Sequence, residues 1–358
     1  MKVAVDFQSA SGQRTGIGVF TKTIIETMQR LDPGIEFILY SPKTERDLNV
    51  PARIWWESVR IPLKNLANKP DLIYSPGFSS AVWSSAPRVV TVHDVIGAAF
   101  PSNQKGASRF YWSRWQPMAL KKAQRIVASS LSTRADLEKY LQIPASKVAV
   151  VPLAAKPHFK PMTDRQAVEQ VLNRHGLRRP YFICVGTLEP RKNILNLIKA
   201  YEIFRKRRAE VSLLIIGKPG GAEREIDDYL QKSKVRGVYR LGYVSDEDLV
   251  GLYNGALGYA MLSLYEGFGY PVLEAMCCGL SGLASNRSSI PEIAADTAIS
   301  VDPVNIGEIA AMMERFVSDD LLRNRLAVAA QERSHQFSLE HTAGSMIKIF
   351  KEMAAKHS

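Results

Sequence analysis

The sequence predicts an α/β fold of two doubly wound domains, each built on a parallel sheet with helices on both faces. Apolar strand-like runs alternate with segments of helical periodicity almost from end to end, which is typical of parallel sheets. The 358 residues suit two domains of ordinary size better than one. A stretch with three prolines, PLAAKPHFKPMTD at 152–164, interrupts the alternation and predicts a domain boundary near residue 160.

The first domain, residues 1–160, contains six apolar runs that we predict to be strands. Their sequences are KVAVDF, IEFILY, DLIYSPG, RVVTVHD, RIVASS and KVAVVPL. Helical periodicity between them is clearest from Val19 to Leu31 and from Thr133 to Leu141. Strands and helices therefore alternate as in a doubly wound sheet.

The second domain, residues 161–335, repeats this organisation with six further runs. They are YFICVGT, VSLLIIG, VYRLGYV, GYAMLS, LSGLASN and AISVDP, each ending in a turn signal. After Asp302 the pattern becomes helical to the end, and we expect residues 336–358 to form a helix that packs back on the first domain. In sheets of this kind, ligands bind at the carboxyl ends of the strands.

Composition narrows the class of protein. Hydrophobic residues make up 46% of the chain and charged residues 23%, which is typical of a soluble globular protein. No run approaches the roughly 18 to 20 apolar residues of a membrane span, and the initial MKVAVDF lacks the apolar core of a signal peptide. We therefore expect a cytoplasmic protein.

The net charge of +12 is concentrated in the first half of the chain. Residues 1–160 carry 22 Lys and Arg against 11 Asp and Glu, whereas the remainder carries 25 against 24. A basic half favours an anionic partner, which can be a nucleic acid, a membrane surface or a phosphorylated substrate.

The cysteines and histidines do not predict a metal site. Two of the three cysteines, Cys277 and Cys278, are adjacent, and neither they nor Cys184 has metal-site spacing with a histidine. The six histidines are scattered along the sequence. We interpret the cysteines as reduced, small core residues.

The segment GTLEPRKNILNLIKAY follows the first strand of the second domain. Gly186 permits a tight turn and Pro190 suits the start of a helix, so Arg191 and Lys192 are predicted to lie in that helix's opening turn. Two cations beside free backbone N–H groups at the end of a strand make a phosphate site. The alternative is that both side chains simply face solvent.

The segment YEGFGYPVLEAM brackets a glycine-rich turn with two glutamates. Gly267 and Gly269 leave backbone amides open to close approach, and the following proline predicts a helix with Glu274 in its first turn. Carboxylates accept hydrogen bonds from hydroxyls, which sugars offer. The alternatives are an exposed loop position for Glu266 and, for Glu274, a helix-terminal charge worth about 0.3 to 1 kcal/mol.

Several stretches, in order along nearly the whole chain, resemble glycosyltransferase family 4. This family comprises retaining enzymes with the GT-B fold, in which two Rossmann-like domains face each other across a cleft. The run YEGFGYPVLEAMCCG, followed by LASNRSSIPEIAADTAISVDP, resembles the family's E-x7-E region. GTLEPRKNILNLIKAY is similar to its donor diphosphate site and RTGIGVFTKTII to its glycine-rich N-terminal loop. VVTVHDVIGAAFP resembles the loop that brings a histidine to the donor sugar.

The resemblance implies a role for each matching position. Glu266 holds hydroxyls of the transferred hexose, and Glu274 holds the ribose hydroxyls. His93 bonds the sugar, beside Asp94, which orients the acceptor or the histidine; the alternative for His93 is a hydrogen-bonded residue at a strand end. The implied catalytic set is His93, Asp94 and Glu266. The implied donor-binding set is Gly16, Gly18, Gly186, Arg191, Lys192, Tyr243, Val244, Gly267, Phe268, Gly269 and Glu274.

Within that donor set, Lys192 and Arg191 neutralise the diphosphate, and the stretch from Leu241 to Val244 reads the base. The sequence departs from the family pattern at Thr187, where several relatives carry arginine, which leaves open which residue is the second phosphate cation. The single acidic triplet, Asp246 to Asp248 after Ser245, has the spacing of a helix cap. We therefore expect metal-independent transfer, with no cofactor and a nucleotide sugar as substrate.

By the resemblance, the first domain binds the acceptor and the second binds the nucleotide sugar. The implied reaction moves a hexose, with mannose from GDP-mannose favoured, to a glycan or lipid-diphosphate-linked acceptor in bacterial polysaccharide or O-antigen synthesis. A UDP-sugar donor and a non-transferring GT-B enzyme remain alternatives. A dinucleotide oxidoreductase fits poorly because Gly16-Ile17-Gly18 lacks the third glycine of its fingerprint. Nucleic-acid-binding patterns are absent from the sequence.

The segment 105–125 interleaves basic and aromatic residues. KGASRFYWSRWQPMALKKAQR combines six Lys and Arg with two Trp, one Phe and one Tyr. Such a segment can lie on an anionic bilayer with its rings at the headgroups. We hypothesise that it holds the protein peripherally on the inner face of the cytoplasmic membrane; the alternative is a helix with a core face and a solvated basic face.

Overall fold

Two six-stranded parallel sheets organise the computed structural model, which describes residues 1–11, 16–42, 48–100 and 106–357. The chain separates into two units, one formed by Met1–Leu153 with the residues from Ser338 onward, the other by Ala154–Phe337. The division thus falls after Leu153, whereas the proline-rich stretch suggested residue 160.

The first sheet contains all six predicted strands, with the order β2-β1-β3-β4-β5-β6. Neighbouring strands are parallel throughout. Because β1 lies between β2 and β3, the direction of winding reverses between β1 and β3, which is where a doubly wound sheet opens a ligand site. The strands are β1 (Lys2–Asp6), β2 (Glu36–Tyr40), β3 (Leu72–Ser75), β4 (Arg88–Val92), β5 (Arg125–Ala128) and β6 (Val148–Val150).

Helices of this unit precede, connect and follow its strands. Two pairs are joined by single π-helical turns: α3 continues through 56–60 into α4, and α6 continues through 111–115 into α7. The helices are α1 (Gln8–Ser11), α2 (Gly16–Leu31), α3 (Val50–Trp55), α4 (Ile61–Asn68), α5 (Ile96–Ala99), α6 (Gly106–Phe110), α7 (Gln116–Lys122) and α8 (Leu131–Leu141).

The aromatic residues of the 105–125 segment mostly face inward, so the expected arrangement of its rings at a membrane is wrong. Tyr111 is buried, and Trp112 packs edge-on against Phe78 with a ring separation of 5.3 Å. Trp115 donates a hydrogen bond from Nε1 to Glu57, at 2.7 Å. Tyr111 is thus a core residue and Trp112 and Trp115 are partly buried, while Phe110 is exposed; Lys105 lies outside the described residues.

The second sheet also contains all six predicted strands, in the order β12-β11-β10-β7-β8-β9. Counted from its own first strand, this is the 3-2-1-4-5-6 order of a dinucleotide-binding fold, and its winding reverses between β7 and β10. The strands are β7 (Tyr181–Val185), β8 (Ser212–Ile216), β9 (Val238–Leu241), β10 (Gly258–Met261), β11 (Gly282–Ser285) and β12 (Ile299–Val301).

The helices of the second unit include the predicted helical tail after Asp302. Ser245 caps α12 by accepting a hydrogen bond from the Asp248 backbone N–H, at 3.1 Å, so the acidic triplet lies at a helix cap as expected. The helices are α9 (Arg165–Arg174), α10 (Ile194–Arg205), α11 (Glu223–Ser233), α12 (Asp246–Gly255), α13 (Tyr270–Cys277), α14 (Ile290–Ala294), α15 (Ile306–Ser318) and α16 (Asp320–Ser334).

The last helix, α17 (Leu339–Ala355), returns to the first unit and packs along α2. Lys351 Nζ lies 2.7 Å from Asp32, and Arg30 pairs with Glu340 at the same distance. Phe350 is fully buried, with its ring 5.1 Å from that of Tyr74 on β3. Apolar contact with the sheet anchors this helix, since surface ion pairs contribute only about 0 to 1 kcal/mol each.

Two further expectations concern composition. Cys184 and Cys278 are buried, Cys277 is partly buried, and all three thiols are free.

Within the described ranges, no helix has the length and apolar character needed to cross a bilayer.

Candidate functional site

In the second unit, the loops that follow β7 and β10 meet where the winding of the sheet reverses. Gly186 ends β7 with a φ of 155°, and a Cβ there would lie 3.1 Å from Cε of Lys192. The glycine therefore makes room for the lysine side chain to cross the end of the strand. Any larger residue at position 186 would therefore displace the Lys192 side chain.

Arg191 and Lys192 do not lie in the first turn of α10, so that part of the sequence-based prediction is wrong. They belong to a separate 3₁₀ turn, Pro190–Lys192, that ends at Asn193 in the left-handed conformation with φ of 59°. Asn193 is buried, and its Nδ2 donates to the carbonyls of Leu262 and Pro303. This asparagine ties the two cations to the β10 loop, and sequence reasoning missed it.

Both cations converge on Glu266. Lys192 Nζ lies 2.5 Å from Glu266 Oε1, and an Arg191 guanidinium nitrogen lies 2.9 Å from Oε2. The Arg191, Lys192 and Glu266 side chains are only 18%, 11% and 11% exposed, which excludes the solvent-facing and exposed-loop alternatives. Burial alone would raise the pKa of Glu266, but the two cations outweigh it and hold the pKa below its ordinary value.

Serine side chains fix the loop that carries Glu266. Ser263 donates to Glu266 Oε1 at 2.7 Å, and Ser288 donates to the Glu266 carbonyl at 2.6 Å. Ser289 is fully buried and donates to the carbonyl of Phe268 at 2.8 Å. The glycine-rich turn is thus held on both sides, and these serines are a second set that sequence reasoning did not single out, although two stand in the quoted run RSSIPE.

The glycine-rich turn leads directly into α13. Gly269 has a φ of 107°, where a side chain is strained, and a Cβ there would lie 2.8 Å from Ile290 Cδ1. Gly267 and Phe268 precede it in the turn, and the Phe268 ring is buried. The turn therefore requires glycine at 269 for conformational and packing reasons.

Glu274 lies in the second turn of α13 rather than the first, because the helix begins at Tyr270. The helix-terminal charge alternative is therefore wrong. Glu274 Oε2 is 3.5 Å from the hydroxyl of Tyr253, and burial raises the pKa of Glu274 to about 7, against the opposing effect of Lys156. In contrast to Glu266, this carboxyl changes its charge near neutral pH.

A cavity of about 350 Å³ opens at the carboxyl ends of β8 and β9. Leu241 and Gly242, from the stretch expected to read the base, form part of its wall together with Leu188 and Gly217. Tyr243 is 71% exposed, with Lys218 Nζ 4.6 Å from its ring centre, and Val244 follows it partly buried. The cavity is large enough for a small ligand group.

The first unit has its own cavity, of about 180 Å³, where the winding reverses between β1 and β3. Its wall includes Pro76, Gly77 and Phe78 from the loop after β3, and Asp6 at the end of β1. His93 adjoins it, because His93 Nε2 is 2.9 Å from the Pro76 carbonyl. A carbonyl only accepts, so Nε2 carries the proton and donates.

The His93 ring is held between aromatic neighbours. The rings of Phe20 and Phe78 stand edge-on to it at 5.4 and 6.0 Å. Burial lowers the pKa of His93 to about 4, so the ring is neutral at pH 7. Asp94, beside it, accepts a hydrogen bond from the Ile96 backbone N–H at 3.0 Å. His93 is thus a hydrogen-bonded residue at a strand end that also borders a cavity.

Two buried carboxyl groups line the same cavity, and sequence reasoning assigned neither to a site. Glu57 accepts hydrogen bonds from Ser79 at 2.6 Å and from Trp115, and burial raises the pKa of Glu57 to about 7. Asp6 accepts from Trp56 Nε1 at 2.9 Å, and burial raises its pKa as well. Arg53 also lines the cavity, and its buried Nε has no hydrogen-bond partner among the described residues.

The predicted glycines of the N-terminal loop differ from each other. Gly18 lies in α2, where a Cβ would fall 2.2 Å from the carbonyl oxygen of Ser9, so the close packing of α1 on α2 requires glycine. Gly16 is exposed, and a Cβ there would meet nothing within 4 Å. Residues 12–15, which precede them in the resembling run, lie outside the described residues.

The structure therefore joins Gly186, Arg191, Lys192 and Glu266 into one cluster, with Glu274 on the helix that follows. His93 and Asp94 form a second group in the first unit. No cluster of three or more His, Cys, Asp or Glu side chains able to hold a metal ion occurs among the residues that the structure describes.

Comparisons with known proteins agree with these two units. The sequence model described as Glycosyltransferase Family 4 matches residues 15–158, and the one described as Glycosyl transferases group 1 matches residues 168–333. The O-antigen chain mannosyltransferase B of Escherichia coli is 30% identical over 266 residues, or 74% of this chain and 70% of that protein. The serotype-specific mannosyltransferase WbdA of Escherichia coli is 27% identical over 308 residues, which are 81% of this chain but only 37% of WbdA.

Solved structures of similar fold extend over nearly the whole chain. Sucrose-phosphate synthase from Thermosynechococcus elongatus superimposes with a TM-score of 0.78 at 17% identity, covering 99% of this chain and 100% of that one. WaaG, a glycosyltransferase involved in lipopolysaccharide biosynthesis, gives 0.73 at 15% identity, with 98% and 99% covered. HepE from Anabaena, in complex with UDP and glucose, gives 0.71 at 16% identity, with 98% and 99% covered.

The fold is therefore the GT-B fold, and the protein is a glycosyltransferase. More particularly, the chain belongs to glycosyltransferase family 4 and its group 1 transferase domain, as the run of motifs predicted.

Proposed function

We propose that this protein transfers a mannosyl residue from GDP-mannose to a glycan or lipid-diphosphate-linked acceptor, with retention of anomeric configuration, in bacterial polysaccharide or O-antigen synthesis. The observation that carries the proposal is the convergence of two nearly buried cations on Glu266 at the reversal point of the second sheet. A nucleotide sugar offers a diphosphate and hydroxyls, which are the partners that such a cluster can exchange for its internal ion pairs.

The donor diphosphate would replace Glu266 as the ion-pair partner of Lys192 and Arg191. Lys192 pairs with Glu266, and Arg191 pairs with both Glu266 and Glu189. A bound diphosphate competes for them and frees the Glu266 carboxylate to accept hydrogen bonds from sugar hydroxyls. The same contacts can stabilise the departing nucleoside diphosphate, because its negative charge grows as the glycosidic bond breaks.

The interaction energy of two cations with the leaving diphosphate is large enough to accelerate transfer. A charge-assisted hydrogen bond contributes roughly 1.5 to 3 kcal/mol, and about 1.4 kcal/mol is a factor of ten in rate. Two side-chain cations can therefore supply several powers of ten if they hold the leaving group more tightly than the bound donor. We propose that the reaction proceeds on this basis without a metal ion or cofactor.

Retention would follow from attack on the same face of the sugar. The acceptor hydroxyl oxygen forms the new bond to the anomeric carbon as the bond to the diphosphate oxygen breaks. The hydroxyl proton passes to the departing diphosphate. The anomeric configuration of the product, read by NMR, tests this point separately.

Glu274 and the cavity at β8 and β9 would bind the rest of the nucleotide. Glu274 lies one helical turn beyond the glycine-rich turn and can accept hydrogen bonds from ribose hydroxyls. The cavity wall at Leu241 and Gly242 is available to the base. Mannose is favoured because similar proteins are named mannosyltransferases. GDP is proposed from the sequence resemblance, and a UDP-sugar is the second candidate.

The acceptor would bind to the first unit. Its cavity is lined by buried oxygen acceptors, by Arg53 and by the Phe78 ring, which suit a sugar with several hydroxyls. His93, neutral at pH 7, borders the same cavity and can form a hydrogen bond without attracting a charged group.

A thermal-shift screen of GDP, UDP, ADP and dTDP tests the donor assignment. A nucleotide at 100 times its dissociation constant adds about 2.7 kcal/mol of stability, so GDP should raise the melting temperature while the others have smaller effects. A Lys192→Ala variant should lose the shift. Stabilisation by UDP alone would replace GDP-mannose by a UDP-sugar, and no shift with any nucleotide would contradict the proposal.

A further inference from the structure

A stripe of exposed apolar side chains runs along the continuous helical segment 50–68 in the first unit. Trp55, Val59, Leu63 and Leu66 are 51%, 37%, 53% and 58% exposed. Their spacings of four, four and three residues place them on one helical face. We call these four residues the 50–68 stripe.

The stripe is not the core-facing side of this segment. Trp56, Glu57 and Ile61 are buried on the other face, and Trp56 donates a hydrogen bond to Asp6 at the end of β1. The buried face of the segment therefore packs on the rest of the unit, and the stripe lies on its exposed face. Contiguous exposed apolar side chains of this kind mark an interaction surface.

The charges along the stripe are positive. Arg60 lies over the Trp55 ring at 5.2 Å, Lys64 follows on α4 with its Nζ 5.2 Å from the Tyr40 ring centre, and Lys69 caps the end of that helix. Between residues 48 and 70 the sole acidic residue is Glu57, which is 2% exposed. The stripe thus presents apolar and cationic groups together, with no exposed carboxylate of its own segment to neutralise them.

The neighbouring segment 106–122 packs against the Glu57 side of segment 50–68 and forms its border. The two segments are held together by the Trp115 to Glu57 hydrogen bond and by Arg53 over the Tyr111 ring. Phe110 is 53% exposed and Met118 39%. The sequence contains no acidic residue from 95 to 135, so this border is also basic.

We propose that the 50–68 stripe is a docking surface for a bilayer of anionic glycerophospholipids. The apolar side chains would enter the headgroup boundary, and the flanking Lys and Arg would lie against lipid phosphates. The proposal rests on the proposed function in one respect, since a lipid-linked acceptor would be presented at such a surface. Docking through a second copy of the chain is disfavoured, because it would set the same basic residues against each other.

Vesicle sedimentation of the full chain tests the proposal. The protein should sediment with vesicles of phosphatidylglycerol and phosphatidylethanolamine, and much less with phosphatidylcholine alone. Substituting Trp55→Ser, Leu63→Ser and Leu66→Ser together should weaken binding at least about tenfold, because apolar insertion is lost. Arg60→Gln with Lys64→Gln should weaken it by about 25-fold, at roughly fivefold for each charge near an anionic surface.

Matched controls lie in the second unit. Leu321 and Val328 are 84% and 59% exposed, so their serine variants remove apolar surface of similar exposure elsewhere. Arg224→Gln with Lys232→Gln removes two exposed charges. Both controls should bind vesicles like the unaltered protein; equal losses in the controls and the stripe variants would overturn the proposal.

A site-specific probe gives a readout that does not depend on these variants folding equally well. Leu63→Cys labelled with a polarity-sensitive fluorophore should shift to the blue with anionic vesicles, and Leu321→Cys labelled likewise should not. No shift at position 63, or a protein dimer in light scattering that the triple serine variant abolishes, would contradict membrane docking. GDP binding by the stripe variants should be unchanged, so failure of docking is distinguishable from failure of the proposed function.

Discussion

The two units differ in the charge of their buried candidate functional side chains: Glu266 in the second is ion-paired, whereas His93 in the first is neutral. In the second, Glu266 shares its burial with Arg191 and Lys192, and these two cations hold the pKa of its carboxyl below the ordinary value. In the first, burial leaves the His93 ring neutral and raises the pKa of Glu57 to about 7. Both sites lie where a doubly wound sheet reverses its winding, yet Glu266 of the second unit pairs directly with two cations, whereas Glu57 of the first accepts hydrogen bonds from Ser79 and Trp115.

This difference indicates what each site can bind. A cluster whose cations are already buried and oriented can exchange an internal ion pair for a bound anion, provided that the released carboxylate gains new hydrogen bonds. The cavity of the first unit, lined by Asp6, Glu57 and Arg53, offers hydrogen-bond acceptors and donors that suit hydroxyls. The division matches a diphosphate-bearing donor in the second unit and a polyhydroxylated acceptor in the first.

The largest expected effect breaks the charged cluster. Lys192→Ala removes one of two cations and should lower the rate of transfer at least about 100-fold, equivalent to about 3 kcal/mol. Lys232→Ala, an exposed lysine in the same unit, is the matched control and should leave the rate unchanged. Nucleoside diphosphate release from GDP-mannose measures the effect, and near-normal turnover by a folded Lys192→Ala would count against the cluster's role.

A pH experiment sharpens the contrast between the two carboxyls of the second unit. Burial raises the pKa of Glu274 from 4.5 to about 7, so between these values the folded chain holds a proton that the unfolded chain has released. The free energy of unfolding should therefore fall as pH rises through this window, by up to about 3 kcal/mol. Glu274→Gln should flatten this part of the pH dependence in urea unfolding. An identical slope in the variant would show that Glu274 titrates normally.

His93 should give the opposite slope. Its pKa falls from 6.5 to about 4 on burial, so the unfolded chain binds more protons between these values. The free energy of unfolding should decrease as pH drops through this window, also by up to about 3 kcal/mol. His93→Gln should reduce that acid sensitivity, whereas His341→Gln, at an exposed position, should not. If both variants behave alike in acid unfolding curves, the burial of His93 has no such consequence.

The smallest expected effect compares one helix cap from each unit. Ser245 caps α12 and Ser338 caps α17, each by accepting a backbone N–H. Alanine at either position should cost about 1 kcal/mol of stability, measured by denaturant unfolding. A loss well above this value at one cap would mean that its unit depends on that helix more than the other does.

The sequence predicted the framework of both units because strands leave a local signal. All twelve apolar runs are strands, since each is short, rich in apolar residues and bounded by turn residues. Local patterns did not reveal the left-handed Asn193, whose amide contacts carbonyls about 70 and 110 residues away. Nor did they reveal Glu57, which becomes a cavity residue only when the β1 and β3 loops meet around it.

The candidate site was predictable as a set of residues but not as a geometry. Glycine spacing and paired glutamates singled out the β7 and β10 loops, while the direct pairing of Glu266 with both cations depends on side-chain contacts across the sheet edge. Serine is common in loops, so Ser288 and Ser289 gave no distinct signal. The position of α13's first residue, which moved Glu274 into the second turn, also lay within the usual uncertainty of helix ends.

A crystal structure of the protein with GDP-mannose would show directly whether the Arg191, Lys192 and Glu266 cluster binds the donor. We expect diphosphate oxygens within hydrogen-bonding distance of Lys192 Nζ and Arg191, with the Glu266 carboxylate turned toward the mannose hydroxyls. A nucleotide sugar bound at another surface, or one in the second unit whose diphosphate leaves the Lys192 to Glu266 pair intact, would contradict it.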